Sequence, residues 1–336
     1  MSATIELMQP TSAAQFTAAD GDSIPPLEQV RDDLWVLGVP FPGVLPHFTL
    51  SYLILDASGA VHVIDPGWDS DDNWDALTSS LASLGRTPAD IATVTVTHLH
   101  PDHLGMAERV RGASGATVAI HRAEQQAIHE LTTAVAEADA LARFNGWEVP
   151  AEYTEELLEA VRRRSAWKPF TADRLLDDGD VLDIPGREVT VLHTPGHTTG
   201  HVALLDADRA LIFTGDLLLP NQFPGVGLGG SSQSNPIDDY LASLLSLAIL
   251  DDHEVLPGHG YRFTGLAERC DATAAHHNRR TREVASVLDT TETPTVWEVA
   301  SQLSWTAGWV NLRGFHLLSA LSQTALHIDR LPEATL

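Results

Sequence analysis

From Leu34 onward the apolar positions come in short runs closed by turn residues, and these runs alternate with stretches of helical period. Leu34–Leu37, Ser51–Leu55 and Val61–Ile64 are short and rich in aliphatic residues, which predicts strands. A helix is predicted near Asn73–Leu84, then a β-branched strand over Ile91–Thr97 and a helix opening over Leu104–Val110. Further strands are predicted at Val189–Leu192, Ala210–Phe213 and Val255–Leu256. Residues 121–170 are Ala/Glu/Leu-rich and predict an insertion of two helices, Ala123–Arg143 and Glu155–Arg164, broken at Gly146–Pro150. Beyond residue 266 the pattern is helical: Arg269–Leu288, a turn at Thr291–Thr295, then Val296–Leu303 and Asn311–Leu326. Residues 1–26, rich in Ala, Thr, Ser and Pro, read as a frayed or loosely docked arm. Mixed β and α runs of this kind suit sheets covered by helices.

The strand ending at Thr97 runs into T-H-L-H-P-D-H, which places His98, His100, Asp102 and His103 within six positions. In extended chain His98 and His100 share a face and can grip one ion. Pro101 suits the first turn of a helix, so Asp102 and His103 emerge at a turn and can reach a second ion. Imidazole and carboxylate at this density suit zinc or a similar divalent metal. The arrangement recurs: His193-Thr-Pro-Gly-His197-Thr-Thr-Gly-His201, Phe213-Thr-Gly-Asp216 and Val255-Leu-Pro-Gly-His259-Gly each put a ligand type at a tight turn after a short apolar run. A Gly-Asp or Gly-His turn alone is weak; four such pieces in order are specific.

These motifs resemble metallo-β-lactamase-fold hydrolases with the seven-ligand pattern of the glyoxalase II type, over about residues 30–265. The resemblance implies an α/β fold, an αββα sandwich over residues 27–265. A helical insertion would occupy about 121–170, and a helical, winged-helix-like C-terminal region 266–336. It implies that His98, His100 and His197 hold one divalent ion and Asp102, His103 and His259 the other, with Asp216 bridging. Zinc is the first choice of metal, with iron or manganese as alternatives. Asp65, in Val63-Ile-Asp-Pro-Gly67, matches the family's early Asp that supports the site from outside. A water bridging two such ions becomes a hydroxide nucleophile near neutral pH, and Asp102 has a carboxylate oxygen to spare for orienting it and taking its proton. Some features depart from named branches. β-Lactamases of this fold generally lack the bridging Asp, glyoxalase II continues differently after its last His, and lactonases place a Tyr where Leu217-Leu-Leu219 stands. The winged-helix-like tail is shared with a branch whose members include RNA enzymes, but it lacks a basic recognition face and is expected to pack or to dimerise.

Charge narrows the partners. Twenty Lys and Arg against 46 Asp and Glu leave −26, which disfavours RNA or DNA. The run Arg162-Arg-Arg164 with Lys168 is read as a solvated helix face. Cys270 is the single cysteine, the first residues lack a secretory pattern, and Leu241–Leu250 is too short to span a bilayer. These features favour a cytoplasmic protein with no membrane partner. The expected enzyme is a dinuclear hydrolase of a small or medium carboxylic ester, thioester or lactone with an apolar portion, with Asp102 catalytic. Two alternatives stay open: a metal-dependent phosphodiesterase or ribonuclease, and a non-catalytic module that keeps the fold.

Candidate pocket residues come from the Pro40–Phe48 loop, Trp68 and Leu219–Asn235. Phe144, Trp147, Tyr153 and Trp167 either dock the insertion or line a lid. Tyr261 is a candidate to reach a substrate oxygen. His193 and His201 are expected to support rather than ligate.

Overall fold

The computed structural model describes residues 7–21, 23–42, 47–131, 136–165, 169–290 and 294–331. A two-residue strand β1 (Gln9–Pro10) and helix α1 (Ala13–Ala19) come first. Seven strands then form one sheet in sequence order. They are β2 (Glu28–Arg31), β3 (Leu34–Pro40), β4 (Phe48–Leu55), β5 (Val61–Ile64), β6 (Ile91–Val96), β7 (Thr117–His121) and β8 (Arg174–Leu176). Strands β2 to β5 pair antiparallel and β5 to β8 parallel. Helix α2 (Asp71–Ser83) joins β5 to β6, and α3 (Pro101–Leu104) and α4 (Ala107–Ser114) join β6 to β7. Helices α5 (Arg122–Leu131), α6 (Ala136–Gly146) and α7 (Ala151–Ser165) separate β7 from β8.

The second sheet contains β9 (Thr190–His193), β10 (Val202–Asp206), β11 (Leu211–Gly215), β12 (Glu254–Pro257) and β13 (Phe263–Thr264), in the order β1-β13-β12-β11-β10-β9. Helix α8 (Pro236–Leu247) lies between β11 and β12, and α9 (Leu266–Leu288), α10 (Val296–Gln302) and α11 (Gly314–Asp329) follow β13.

Burial explains the layering. All but the last residue of β4 are buried, as a strand covered on both faces must be, and its sequence is correspondingly apolar. One core lies between the sheets, where Leu50, Tyr52 and Ile54 meet Val191, Leu204 and Phe213. Tyr52 spans that core: its ring meets Phe213 edge-on at 5.1 Å and its hydroxyl donates to the Pro257 carbonyl at 2.7 Å. A second core covers the outer face of the first sheet with α2, α4 and α5, and a third covers the other sheet with α8 and α9. The expected αββα sandwich with helical additions is the observed architecture. Among the described residues, no helix is long and apolar enough to cross a membrane.

Two expectations need correction. The arm is docked over residues 7–21: β1 pairs with β13, Met8 is buried, and Phe16 packs edge-on against Tyr261 at 5.0 Å. The helical stretch predicted from Ala123 to Arg143 is described as α5 and α6, on either side of residues 132–135, which lie outside the described ones. Helix α5 stays on the sandwich through Ala127 and Ile128, and only α6 and α7 leave it. The predicted helix from Leu104 becomes α3 and α4, parted at Gly105-Met106.

Helices α6 and α7 share a separate core with α10 and α11, built from Phe144, Leu157, Ala300, Leu317 and Leu321. Tyr153 stacks at a tilt on Trp297 (4.9 Å), which meets Trp309 edge-on (5.0 Å). The insertion and the C-terminal region are therefore one cap, and Phe144, Trp147 and Tyr153 dock its helices. Trp167, Lys168 and most of the 291–295 turn lie outside the described residues. No strand follows β13 among the described residues, so the winged-helix likeness extends to helices alone.

Candidate metal centre

Asp65 follows β5, His98 and His100 follow β6, His197 lies between β9 and β10, Asp216 follows β11, and His259 follows β12. Every one therefore sits on a turn held by a buried strand. His100 is the N-cap of α3, Pro101 is its first residue, and Asp102 and His103 occupy its one turn. Two turns tolerate only glycine. Gly215 has φ +45, and a Cβ at Gly258 would stand 2.5 Å from Asp216 Oδ1 and 2.7 Å from His103 Cε1.

All seven residues singled out as ligand candidates converge. His98, His100, His197 and Asp216 form one group that could hold an ion, and Asp102, His103 and His259 another; within each, the offered atoms lie within 4.8 Å of one another. Asp216 reaches both: its Oδ2 is 3.7 Å from His197 Nε2 and 3.3 Å from His259 Nε2, and its Oδ1 is 3.5 Å from His103 Nε2. Asp102 Oδ2 is 3.3 Å from His259 Nε2. Outer partners fix the rings. His103 Nδ1 meets Asp65 Oδ2 (2.9 Å), His197 Nδ1 donates to the Gly225 carbonyl (2.7 Å), and His259 Nδ1 donates to that of Phe48 (2.8 Å). The opposite nitrogens face inward.

The donor set fits a metal. His100 Nδ1 lies 2.9 Å from His98 Nε2 and 3.2 Å from His197 Nε2, and His103 Nε2 lies 3.2 Å from His259 Nε2. Tetrahedral zinc with nitrogens at about 2.0–2.1 Å separates neighbouring donors by about 3.3 Å. Asp216 Oδ1 is buried and accepts no hydrogen bond, a cost that a bound cation would remove.

Charge inside the cluster is polarised. Burial works to raise the Asp102 carboxyl, but His103 and His259 overcome it and hold the group down at about 2. Asp216 is likewise held far below the usual carboxylate range, burial again being outweighed by His259 and His103. Burial works to lower His259, yet Asp216 and Asp102 carry it well above the usual imidazole value. His98 is driven the other way by burial and by its neighbouring imidazoles.

A cavity of about 900 Å³ opens on the cluster, touching His100, Asp102, His197, Asp216 and His259. Phe41, Trp68, Leu219 and Phe223 form apolar sides, as the loop readings expected for the parts described; residues 43–46 lie outside. The cap closes another side with Glu156 and Ala160 of α7 and with Arg313, Phe315 and His316 at the start of α11. A separate cavity of about 600 Å³, lined by Ser232, Ser234 and Asp239 among others, includes His197's neighbours Gly196 and Thr198 but none of the seven residues. The basic run is neutralised where described: Arg162 pairs with Glu137 and Glu155, and Arg163 with Glu159.

Tyr261 does not reach the cavity. It is buried, and its hydroxyl donates to the Met8 carbonyl at 3.2 Å. His201 supports the cluster instead, its Nε2 accepting the Asp216 backbone N–H at 3.1 Å, while His193 stacks on His121 at 4.2 Å. Sequence reasoning missed two residues. Phe315 carries no local signal beyond being an aromatic at a helix start. Glu124 sits in an ordinary helical run, yet its carboxylate is buried and bonded to Leu99 and Gly200.

A sandwich of this topology with ligand-bearing turns at strand ends defines a metallo-hydrolase scaffold. The family model of the metallo-beta-lactamase superfamily matches residues 44–259, and the chain belongs to that superfamily. It is 30% identical over 205 residues to an acyl-coenzyme A thioesterase, MBLAC2, of Gallus gallus. That match spans 57% of this chain and 64% of the thioesterase, short of two thirds of its length. A probable metallo-hydrolase of Bacillus subtilis, YqjP, is 28% identical over 89% of this chain and 92% of its own. A crystal structure of a metallo-beta-lactamase family protein from Thermus thermophilus superposes with a TM-score of 0.75 at 30% identity, covering 91% of this chain and 95% of that one.

Proposed function

We propose that the chain is a dinuclear metal-dependent acyl hydrolase acting on carboxylic thioesters, with esters and lactones as related substrates. The observation that carries this reading is the cavity, an apolar-walled space of about 900 Å³ ending on two groups of metal-competent side chains. His98, His100 and His197 would hold one ion and Asp102, His103 and His259 the other, with Asp216 between them. Imidazole and carboxylate donors suit zinc first, and iron or manganese also. Bound there, such ions lower the pKa of a water and polarise a carbonyl oxygen.

The chain's own part is positional. An acyl group lies against Phe41, Trp68, Leu219 and Phe223, which brings its carbonyl to the cluster and excludes bulk water. The Asp102 side chain, 18% exposed against 11% for Asp216, faces the cavity as an ionised acceptor and orients the attacking water. Similarity to a protein named as an acyl-coenzyme A thioesterase supports placing thioesters first. A phosphodiester would meet a chain of charge −26, with Arg162 and Arg163 already paired to glutamates.

The test compares initial rates of metal-loaded protein on an acyl thioester, an aryl ester, a lactone and an aryl phosphodiester. Thioester turnover should dominate and fall at least about a hundredfold in Asp102→Ala. Phosphodiester turnover alone would reverse the assignment.

A further inference from the structure

We propose that Glu124 is a positioning residue for the first ion, its carboxylate clamping together the two loops that carry His98, His100 and His197. The inference rests on the metal reading above and adds to it a residue outside the ligand set.

Glu124 is the third residue of α5 and is fully buried. A glutamate there commonly turns back to cap its own helix, whereas this one reaches out to two other loops. Its Oε2 accepts the backbone N–H of Leu99 at 2.6 Å, and its Oε1 accepts that of Gly200 at 2.6 Å. Leu99 stands between His98 and His100, and Gly200 is three residues after His197. Each oxygen thus holds one loop, and the distance between the loops is set by the width of a single carboxylate.

The contact is built closely. A Cβ on Gly200 would lie 2.5 Å from the Glu124 backbone nitrogen and 2.9 Å from its Cγ, so only glycine lets the loop reach α5. No salt bridge to Glu124 accompanies these bonds among the described residues. Burial pushes its carboxyl up to about 7 against the pull of the hydrogen bonds it accepts. An apolar side chain would avoid that penalty but would leave the Leu99 and Gly200 N–H groups without their acceptor. The penalty is met where His98, His100 and His197 must keep their inward nitrogens at 2.9 and 3.2 Å separations. Supports of this kind typically tune metal affinity 10–100-fold.

The test titrates metal-free full-length protein with Co²⁺, following the visible ligand-field bands and the stoichiometry under chelator competition. Glu124→Gln keeps the shape but offers one acceptor oxygen, and turns an NH2 toward the other loop's N–H. One Co²⁺ should weaken at least about tenfold and the other should bind as in the wild type. The assignment comes from two backgrounds. With His259→Ala, where only the first group is intact, Glu124→Gln should still weaken the remaining ion; with His98→Ala it should not. Gly200→Ala, which pushes α5 off the loop, should reproduce the loss, and melting temperature and circular dichroism should stay those of a folded protein. Wild-type affinity for both ions in the two variants, or equal weakening of both, overturns the clamp while leaving the metal reading intact. Wild-type protein that takes up no Co²⁺ overturns both.

Discussion

Asp65 Oδ2 lies 2.9 Å from His103 Nδ1, while the same carboxylate accepts the backbone N–H and the hydroxyl of Thr97, both at 2.7 Å. One side chain thus fixes the ring of a ligand candidate and the end of the strand that delivers its neighbours. Asp65 holds this position at φ +52, a left-handed conformation that non-glycine residues adopt at a cost. Asp65→Asn should lower the affinity of the second ion about 10–100-fold, because an amide NH2 can face the imidazole that needs an acceptor. Chelator competition on folded protein reads this directly, and unchanged affinity for both ions would remove Asp65 from the support of the site.

Phe315 is 43% exposed yet lines the cavity at the start of α11. On the acyl-hydrolase reading proposed above, it would contact a long acyl group that fills the cavity and not a short one. Phe315→Ala should lower kcat/KM for a long-chain thioester by about threefold to tenfold, roughly 1 kcal/mol of lost burial, and leave an acetyl thioester nearly unchanged. Equal losses on both substrates would point to a displaced cap instead of a chain-length contact.

Three histidines away from the cluster resist protonation. Burial, reinforced by Arg280 and Arg330, drives His327 down to about 3. Burial beside Arg280 drives His276 to about 4, and burial beside His193 drives His121 to about 4. Their folded values lie below the ordinary 6.5, so the unfolded chain binds more protons between those limits. The stability they contribute is complete above pH 6.5 and is lost as pH falls through that window, by at most about 1.4 kcal/mol per histidine per pH unit. Melting temperature should therefore fall from pH 6.5 toward pH 4, and His327→Gln should flatten the slope. An unaltered slope in that variant would show that His327 is protonated without cost.

Arg187 and Asp206 form a buried ion pair between the β9 approach and the end of β10, with Asp33 and Arg209 beside it. Removing Asp206 leaves the buried Arg187 with only the partly exposed Asp33 at 3.3 Å, at a cost toward about 3–5 kcal/mol. Asp206→Ala should lower the melting temperature by roughly 6–10 °C at about 2 °C per kcal/mol, while Asp206→Ala combined with Arg187→Met recovers much of it. A single variant that melts like the wild type would mean that the pair is open to water.

The ligand candidates were legible because each is a local signal: alternation fixes His98 and His100, Pro101 turns the chain, and Gly turns close the runs before Asp216 and His259. Strands β3 to β6, β9, β11 and β12 were legible for the same reason, whereas β7 and β10, which complete the two sheets beside them, were not named. Long-range contacts were not. Glu124 is one of many acidic residues in helical runs, and its role depends on Leu99 and Gly200 arriving from two other loops. Tyr261, two residues after His259, looked able to reach substrate, but Gly260 at φ +82 turns the chain and the ring goes to Phe16. Docking of α1 could not be read from its Ala-rich composition, since it depends on the pairing of β1 with β13. The shared cap core was equally hidden, because Tyr153 and Trp297 are 144 positions apart and neither segment announces its partner.

That core also imposes a timetable on biosynthesis. All seven ligand candidates lie at or before His259, whereas Arg313, Phe315 and His316 come more than fifty residues later. Until α11 settles on α7, with the Gly314 N–H on Glu156, the floor of the cavity stands without the wall those three residues form. On the acyl-hydrolase reading proposed above, a nascent chain loaded with metal before α11 forms would carry both ion sites but not the wall of Arg313, Phe315 and His316.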